Sequence, residues 1–568
     1  MTNRVPAALI HPNSTERRST KSFSIGGLLL GTLFFSASLT PTLLPRGPLI
    51  QGVLSGLCLA AGYAIGVSFG GICNYVGLAL PKSFSMRVAG FVAAIACAGV
   101  AIASLHLAAG WQNSIRELMG LESVDTTYPF KVIPIALAVF AMSVVLARLF
   151  RLLLRFTATK IDGFLPKRVS RVVGFAVAAT LSWSIADGVL LRGALAAADA
   201  AYMEFDKLIE QESGQPTDPL KTGSSASLIN WYDLGRAGRE FISSGPTRHQ
   251  ISAFLGGSAL EPIRVYVGLR SAPSPEARAR LALEELKRVG GFERPVLIVI
   301  TPTGTGWVDP AALDSVEYLH HGAVASVALQ YSYVGSWVYL LAGADYGVDS
   351  ARALFREIYE YWITLPRQSR PKLYLYGLSL GAKNSEQSTD LIDVRRDPLA
   401  GALWSGPLYS SRLWRTFTDL RNPGSPAWLP RFGDGSFVRF MNQHGESAAT
   451  PRAVSIPWGP IRIVYLQYAS DPATFFEYRS LYRQPDWMVP PRGPDVSPQM
   501  RWYPIVTLLQ LMADKFMSTE APIGFGHVYA PGDYIDAWIE VTDVRGWSPD
   551  DIARLKQHLS EPKPIAPP

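Results

Sequence analysis

Cysteine is nearly absent from this chain of 568 residues, which has three, at positions 58, 73 and 97. Three cysteines, all in the N-terminal third, do not provide the paired framework of a disulfide-stabilised domain. Histidine is also scarce, with eight residues, and no cluster of histidine, cysteine and acidic residues has the spacing of metal ligands. The sequence therefore predicts neither a metal nor a cofactor.

The basic residues are also not evenly distributed along the chain. The net charge is +7, but residues 1–192 contain 17 basic and 6 acidic side chains, and the remainder carries about −4. The basic surplus thus belongs to the N-terminal third, and the rest has no basic stripe or motif of the kind that binds nucleic acid. We expect no nucleic-acid partner.

Long apolar stretches dominate the N-terminal third. Five of them precede residue 193, at 25–44, 49–72, 87–110, 131–150 and 169–191. Each has about 20 residues, enough for a helix to cross a hydrocarbon core roughly 30 Å thick. The first stretch is too long for the apolar part of a signal peptide. We therefore predict about five transmembrane helices and the lipid bilayer as a partner.

The charges of the loops predict the orientation of these helices. The N-terminal tail and the second and fourth loops are basic, whereas the first and third loops have few basic residues. Because basic loops stay on the cytoplasmic side, the N-terminus is predicted to be cytoplasmic, in an inner (cytoplasmic) membrane. An odd number of spans then places the rest of the chain outside the cytoplasm.

Strand and helix patterns alternate after a linker rich in Gly, Ser and Thr at 213–227. Short apolar strands separated by helices indicate a mostly parallel sheet covered by helices. The candidate strands are Arg264–Leu269, Pro295–Thr301, Ala323–Tyr331, Lys372–Tyr376, Gly401–Trp404 and Ile461–Tyr468. Chemistry in such sheets takes place at the carboxyl ends of the strands.

Ser379 lies at one such end. The segment Tyr376-Gly377-Leu378-Ser379-Leu380-Gly381 follows a strand pattern and precedes a helix pattern. This order is typical of a nucleophile elbow, in which flanking glycines allow a sharp strand-to-helix turn. A second Gly-x-Ser-x-Gly match, around Ser68, lies in a long apolar stretch without a preceding strand. We therefore favour Ser379 as the nucleophile.

A serine nucleophile needs a base and an acid that orients the base, in the chain order Ser, acid, His. Of the histidines after Ser379, His527 stands in a loop of small residues, His444 is the alternative, and His558 lies in a polar helix-like stretch. Asp471 ends the strongest later strand and is the predicted acid. The alternative roles are an ordinary loop histidine for His527 and a turn or helix cap for Asp471.

A tetrahedral oxyanion also needs backbone N–H donors. Leu380 directly follows the nucleophile and is the first candidate. The segment Thr303-Gly304-Thr305-Gly306 follows an earlier strand, so we expect a second donor from Thr303 or Gly304.

These motifs resemble those of the α/β-hydrolases, and more narrowly of the bacterial integral-membrane α/β-hydrolase family. The most specific segments are Thr303–Pro310, Tyr376–Gly381 and Gly524–Tyr529. The resemblance implies a multi-pass α-helical membrane domain followed by an α/β-hydrolase-like domain with a Ser/Asp/His triad. One departure is the spacing from Asp471 to His527, which is longer than usual, without a clear strand before the histidine.

The predicted domains are 1–192 for the membrane domain, 193–245 for a helix and linker, 246–560 for the catalytic domain with a cap at 407–460, and 561–568 for a tail. The expected activity is hydrolysis of envelope or lipid-linked esters. An acyltransferase with the same triad and a catalytically silent binding or assembly module are the alternatives. The substrate's acyl and leaving groups and the oligomeric state stay open.

Overall fold

A computed structural model of the chain describes residues 24–76, 84–161, 175–177, 179–180, 206, 214–333, 347–389, 397–443 and 456–561. The N-terminal part consists of the helices α1 (Ile25–Ser38), α2 (Pro48–Tyr75), α3 (Phe84–Arg116) and α4 (Pro129–Ile161). The described part of the chain has three helices long and apolar enough to cross a membrane, with spans at Pro48–Cys73, Gly90–Arg116 and Pro129–Thr157.

The first predicted span differs from these three. Helix α1 has 14 residues and is roughly 21 Å long at 1.5 Å per residue, so alone it is shorter than a hydrocarbon core. The chain leaves the helix at Leu39 and turns toward α2 instead of continuing to residue 44. The fifth predicted span, 169–191, lies almost wholly outside the described residues.

Glycines bring α1 and α2 into close contact. A Cβ at Gly62 would lie 2.6 Å from the carbonyl oxygen of Leu30, and one at Gly66 would lie 2.5 Å from that of Gly26. Small residues at such crossings let two apolar helices approach closely. The outer surface stays apolar, and Phe91 and Phe130 are exposed by 69% and 91%. These helices therefore present a surface suited to lipid.

A seven-stranded parallel sheet forms the second part of the molecule, in the order β1-β3-β2-β4-β5-β7-β6. All six candidate strands are present, with adjusted ends. The strands are β1 (Ile263–Val267), β2 (Val296–Thr301), β3 (Val324–Leu329), β4 (Lys372–Leu378), β5 (Gly401–Ser405), β6 (Val438–Met441) and β7 (Arg462–Leu466).

Two groups of helices cover the sheet. The described helices of this part are α5 (Gly235–Ser243), α6 (Arg248–Leu255), α7 (Pro275–Arg288), α8 (Pro310–Leu319), α9 (Val348–Trp362), α10 (Leu380–Ser388), α11 (Arg412–Asp419), α12 (Pro472–Phe475), α13 (Val506–Phe516), α14 (Pro531–Thr542) and α15 (Pro549–Ser560). Helices α7, α9 and α10 form one group, which packs on strands β1 to β4. Helices α8, α14 and α15 form the other, in which α14 packs on β5 and β7. Apart from the first residue of β4 and of β7, the strands are buried throughout, as expected of a parallel sheet covered on both faces.

Strand β6 was not predicted. It lies inside the segment 407–460, where the sequence suggested a cap, and it pairs in parallel with β7 at the edge of the sheet. Its four residues, with Arg439 among them, do not form an apolar run long enough to be recognised. Part of the predicted cap therefore belongs to the sheet.

Helix α13 joins the two parts of the molecule. The amide of Gln510 donates hydrogen bonds to the carbonyl oxygens of Ser38 and Thr40 at 3.3 and 3.2 Å, and the N–H of Leu43 donates to Asp514 at 3.0 Å. Four apolar side chains from the α1–α2 and α3–α4 regions enter the core of the sheet domain: Leu43, Leu44, Ile115 and Met119. The two parts therefore share one core.

Candidate active site

Ser379 occupies a strained turn between β4 and α10. Strand β4 ends at Leu378 and α10 begins at Leu380. Ser379 between them has φ 60° and ψ −121°. This backbone conformation is strained and rare for a residue with a side chain, and such strain is found mostly at functional sites. This is the geometry of a nucleophile elbow.

The two flanking glycines make the turn possible. A Cβ at Gly377 would lie 2.5 Å from the carbonyl carbon of Gly381, and a Cβ at Gly381 would lie 2.2 Å from the carbonyl oxygen of Thr301. No other residue fits at either position without moving the backbone. The competing motif has none of this geometry, since Ser68 is an exposed residue within helix α2.

Asp471 is fully buried just after β7. Its Oδ1 accepts the N–H of Ala473 at 2.8 Å and so caps α12. Its Oδ2 accepts hydrogen bonds from the hydroxyls of Thr474 at 3.2 Å and Tyr529 at 2.8 Å. The capping role considered as an alternative is present, but it uses Oδ1 and leaves Oδ2 for a further partner.

That further partner is His527, whose Nδ1 lies 2.7 Å from Oδ2 of Asp471. The other ring nitrogen, Nε2, is buried and has no hydrogen-bond partner among the described residues. The N–H of His527 donates to the carbonyl oxygen of Ser518 at 3.0 Å, which holds the loop onto the end of α13. A tight turn, with a bridge between Phe525 and Val528, takes the place of a final strand.

The other two candidate histidines play no part in this arrangement as described. His444 lies outside the described residues. His558 is on α15, where its Nε2 lies 3.2 Å from the hydroxyl of Tyr318 and its ring stacks on Phe254. His558 therefore belongs to the packing of α15 on the sheet domain.

Ser379 and His527 both contact the end of β5. The N–H of Ser379 donates to the carbonyl oxygen of Ser405 at 2.9 Å. The next residue, Gly406, has φ 51°, and a Cβ there would lie 2.5 Å from Cε1 and 2.9 Å from Nδ1 of His527. The imidazole thus packs against the end of β5, to which the backbone of Ser379 is hydrogen-bonded. Strands β4, β5 and β7 are neighbours, so their carboxyl ends bring the three predicted side chains to one edge.

The N–H groups of the candidate oxyanion donors differ in their hydrogen bonds. Leu380 begins α10, so its N–H has no acceptor within the helix. The N–H of Thr303 instead donates to the carbonyl oxygen of Trp307 at 2.9 Å, within a turn in which Gly306 has φ 87°. In this conformation Thr303 does not offer its N–H to the serine. The turn lies close to the elbow, because a Cβ at Gly381 would also lie 2.7 Å from the carbonyl oxygen of Pro302.

A tyrosine network supports the acid and the base, and the sequence interpretation missed it. Tyr529 donates to Asp471 and stacks on Tyr468 with ring centres 4.5 Å apart. Tyr468 in turn donates a short hydrogen bond to Asp533 and accepts the N–H of Ala530 at 2.9 Å. Tyr529 lies two residues from the histidine in sequence, which was the one available signal. The network fixes the histidine loop onto α14.

Asp309 is a second buried carboxyl near the base. It accepts a hydrogen bond from Tyr534 at 3.0 Å. Burial raises the pKa of Asp309 to about 6, against the lowering effects of the hydrogen bond from Tyr534 and of the charge of His527. Among the described residues, no group of three or more His, Cys, Asp or Glu side chains could hold a metal ion.

A parallel sheet with a serine at a strand-to-helix elbow is the architecture of the α/β-hydrolases. A model of the α/β-hydrolase family matches residues 263–555, and a model of the N-terminal region of an α/β-hydrolase family matches residues 39–246. The first match alone covers more than half of the chain, which therefore belongs to the α/β-hydrolase family. No curated protein and no solved structure matches the chain.

Proposed function

We propose that the protein is a membrane-anchored serine hydrolase that cleaves a carboxylic ester through an acyl-enzyme on Ser379. One observation carries the proposal. Ser379, at a strained elbow, is hydrogen-bonded to the strand end on which His527 packs. Nδ1 of His527 is held by Asp471, and its Nε2 has no partner among the described residues. A buried, unpartnered Nε2 costs free energy, and a serine hydroxyl or a leaving group would satisfy it.

In the first half of the proposed reaction, Oγ of Ser379 attacks the ester carbonyl carbon and its proton passes to Nε2 of His527. Asp471 orients the imidazole and stabilises its positive charge. The C–O bond then breaks, and the leaving alcohol takes the proton from Nε2. In the second half, water gives a proton to Nε2 of His527 and attacks the acyl carbon. The bond from the acyl carbon to Oγ then breaks, and His527 returns the proton to Oγ, which releases the acid and restores the serine.

The oxyanion formed in both halves needs two N–H donors. We assign one to Leu380 and keep Gly304, in the turn after β2, as the candidate for the other. Losing one such donor typically costs about 3–4 kcal/mol of transition-state stabilisation.

An amphiphilic substrate, such as an envelope lipid or a lipid-linked ester, is favoured by the position of the site. A Cβ at Gly526, next to His527, would lie 3.2 Å from Cδ2 of Leu44. Leu44 belongs to the loop that joins α1 to the long apolar helix α2. The base therefore lies against the N-terminal helical domain, where a lipid ester in the bilayer would need to travel only a short distance.

The same contacts support an extracytoplasmic hydrolase domain. The α1–α2 and α3–α4 regions, which contact this domain, have few basic residues, whereas the opposite ends of the helices carry Lys82 and Arg87 and the group Arg148, Arg151 and Arg155. Basic ends face the cytoplasm. The number of spans after α4 does not affect this orientation, and we propose an inner-membrane location on the same grounds.

Transfer of the acyl group to an alcohol is the second candidate function. In this structure Ser379 is exposed by 7% and the His527 side chain by 8%. A site closed to this degree limits the access of water, and an alcohol bound inside it would then compete for the acyl-enzyme. Such a transferase would use the same three side chains.

The decisive test is labelling of the detergent-solubilised protein with a fluorophosphonate probe. We expect the wild type and Ser68→Ala to be labelled and Ser379→Ala to remain unlabelled, because only Ser379 has a base within its site. Ser68→Ala is the matched control for the second Gly-x-Ser-x-Gly motif. A folded wild type that is not labelled would contradict the proposal and favour the silent binding or assembly module.

The sidedness is tested with the same variants in sealed membrane vesicles and a charged, impermeant phosphonate. We expect labelling of vesicles whose extracytoplasmic face is outward, and labelling of inverted vesicles only after detergent is added. The reverse pattern would contradict the proposed orientation.

A further inference from the structure

Lys515 is a buried cation that the triad chemistry does not use. It lies in the last turn of α13, and its Nζ is buried without a hydrogen-bond partner among the described residues. Nζ lies 5.2 Å from the ring centre of Tyr409 and 4.9 Å from that of Phe476. Burial lowers the pKa of Lys515 to about 8, and the charge of Asp471 acts in the opposite direction. The group is therefore mainly protonated at neutral pH.

The two aromatic rings belong to loops of the triad. Tyr409 follows β5 by four residues, and its N–H donates to the carbonyl oxygen of Ala473 in α12 at 3.4 Å. Phe476 directly follows α12, the helix that Asp471 caps. The ammonium thus lies at the same carboxyl edge of the sheet as the serine and the acid.

Helix α13 ties Lys515 to the base as well. Ser518, three residues further along the chain, accepts the N–H of His527 at 3.0 Å. Lys515 therefore contacts the loops after β5 and β7, and the end of its own helix holds the loop that carries His527.

Asp471, whose charge acts on Lys515, and Asp514, its neighbour in sequence, already have other partners. Oδ2 of Asp471 is bonded to His527 and Tyr529. Asp514, the neighbour of Lys515 in sequence, is bonded to the N–H of Leu43 and interacts with the charge of Arg46. A buried ammonium without an anionic partner is costly for folding, and aromatic faces compensate only part of that cost. Groups kept in this state are frequent at functional sites.

We propose that Nζ of Lys515 binds an anionic group of the ester substrate, a phosphate or a carboxylate close to the scissile bond. This inference rests on the proposed function of Ser379. It narrows the substrate class to acidic amphiphilic esters, such as an acyl ester of a phosphorylated alcohol. Lys515 is then a specificity-determining residue.

At this edge, both Nε2 of His527 and Nζ of Lys515 are buried without hydrogen-bond partners among the described residues. One substrate with an ester and an anion would satisfy both. The ester places its reacting oxygens near Nε2, and the anion accepts charge-assisted hydrogen bonds from the three N–H donors of the ammonium. A neutral ester would satisfy only the first.

The test compares three esters with the same hexanoyl chain: 1-hexanoylglycerol, its 3-phosphate and hexanoylglycolate. We expect the wild type to prefer at least one of the two anionic esters over the neutral one. Lys515→Met should lower kcat/KM for the preferred anionic ester by about 10- to 100-fold, the usual effect of one hydrogen bond to a charged group. For 1-hexanoylglycerol the change should stay within about twofold. The more strongly affected anionic ester shows whether phosphate or carboxylate is bound.

The control is Lys287→Met, which also removes a lysine that lies over an aromatic ring. Nζ of Lys287 lies 4.2 Å from the ring centre of Tyr361, where α7 packs on α9 and not at the loops of the candidate site. It should leave all three rates unchanged. Lys515→Arg, which keeps the charge, should retain part of the preference for the anionic ester.

An equal fall of all three rates in Lys515→Met would overturn the inference, because Lys515 would then support the triad itself. Unchanged rates for every ester, or a wild type without preference for an anionic ester, would overturn it as well. The proposed function fails separately: it requires fluorophosphonate labelling of the wild type, which is measured on the same samples.

Discussion

Glu386 lies on α10, seven residues beyond the candidate nucleophile. Its carboxyl group is buried and accepts hydrogen bonds from the hydroxyl of Tyr465 at 3.0 Å and from the N–H of Leu413 at 3.2 Å. Burial nevertheless dominates and raises the pKa of Glu386 from 4.5 to about 8. At neutral pH the folded protein therefore keeps a proton on Glu386 that the unfolded chain releases.

This proton makes the stability of the sheet domain dependent on pH. Because the pKa is higher in the folded state, the contribution of Glu386 is fully present below pH 4.5 and is lost as the pH rises to about 8. The loss is about 1.4 kcal/mol per pH unit within that window. We expect Glu386→Gln, which cannot ionise, to reduce the fall in the unfolding midpoint between pH 5.5 and 8.

The measurement is thermal unfolding of wild type and variant in detergent across this pH range. Glu360→Gln, which changes an exposed glutamate of α9, is the matched control and should follow the wild type. Parallel curves for the wild type and Glu386→Gln would show that Glu386 is already ionised in the folded state.

At the same scale, the predicted positions of Ser379 and Asp471 agree with the structure, whereas their catalytic roles stay predictions. The glycines and the preceding strand predicted the turn at Ser379, and the end of a strand predicted the position of Asp471. The sequence favoured His527 and left His444 as the alternative, because the contact between Nδ1 and Oδ2 depends on how loops of unrelated sequence fold. The hydrogen bond of the Thr303 N–H within its own turn could not be predicted either, since it depends on local dihedral angles.

At the scale of elements, the loop at 518–530 is the most constrained part of the site. Gly526 has φ 57°, and a Cβ there would lie 2.7 Å from Cβ of Ala521 as well as near Leu44. We expect Gly526→Ala to shift the loop and with it His527. A displacement of about 1 Å lowers the rate of a positioned reaction by up to about 100-fold. The rate of fluorophosphonate labelling measures this effect.

Gly424→Ala is the matched control for Gly526→Ala. Gly424 also has a positive φ, of 82°, but a Cβ there would meet no atom within 4 Å. This variant has the same kind of backbone strain and should keep its labelling rate. If Gly526→Ala also reacted at the wild-type rate, the contact with Leu44 would not position the base.

Strand β6 shows why elements at the edge of a sheet are harder to predict than central ones. Central strands such as β2 and β4 are apolar on both faces and stand out in the sequence. Arg439 in β6 is buried, and it pairs with Glu540 at 2.6 Å while the ring of Trp458 lies 4.0 Å from its guanidinium. Those partners come from distant segments, so the apolar pattern alone does not reveal the strand.

At the scale of the whole molecule, the N-terminal helices are part of the hydrolase fold as well as a candidate anchor. Leu43, Leu44, Ile115 and Met119 are at most 3% exposed within the core of the sheet domain. Burying an apolar side chain of this size contributes about 1.5–3 kcal/mol. The burial free energy of four such side chains is therefore comparable to the net free energy of unfolding of a typical domain, about 5–15 kcal/mol.

We therefore expect residues 214–568, expressed alone, to give no folded and labelled enzyme. Co-expression of residues 1–213 as a separate chain should restore labelling, because the missing side chains return without a covalent link. Soluble, fully labelled protein from residues 214–568 alone would show that the helical domain is dispensable for the fold. Labelling and gel filtration of both preparations decide between these outcomes.

The hydrogen bond from Leu43 to Asp514 joins residues 471 positions apart in the chain. During synthesis the α1–α2 loop is therefore made long before its partner helix, and its buried positions stay open until nearly the whole protein has left the ribosome. Contacts of such long sequence range form late and slowly. The last part of the chain to be made thus supplies both the proposed base, His527, and the helix that covers the first loop. If the proposed function is correct, a prematurely terminated chain cannot become a partly active hydrolase.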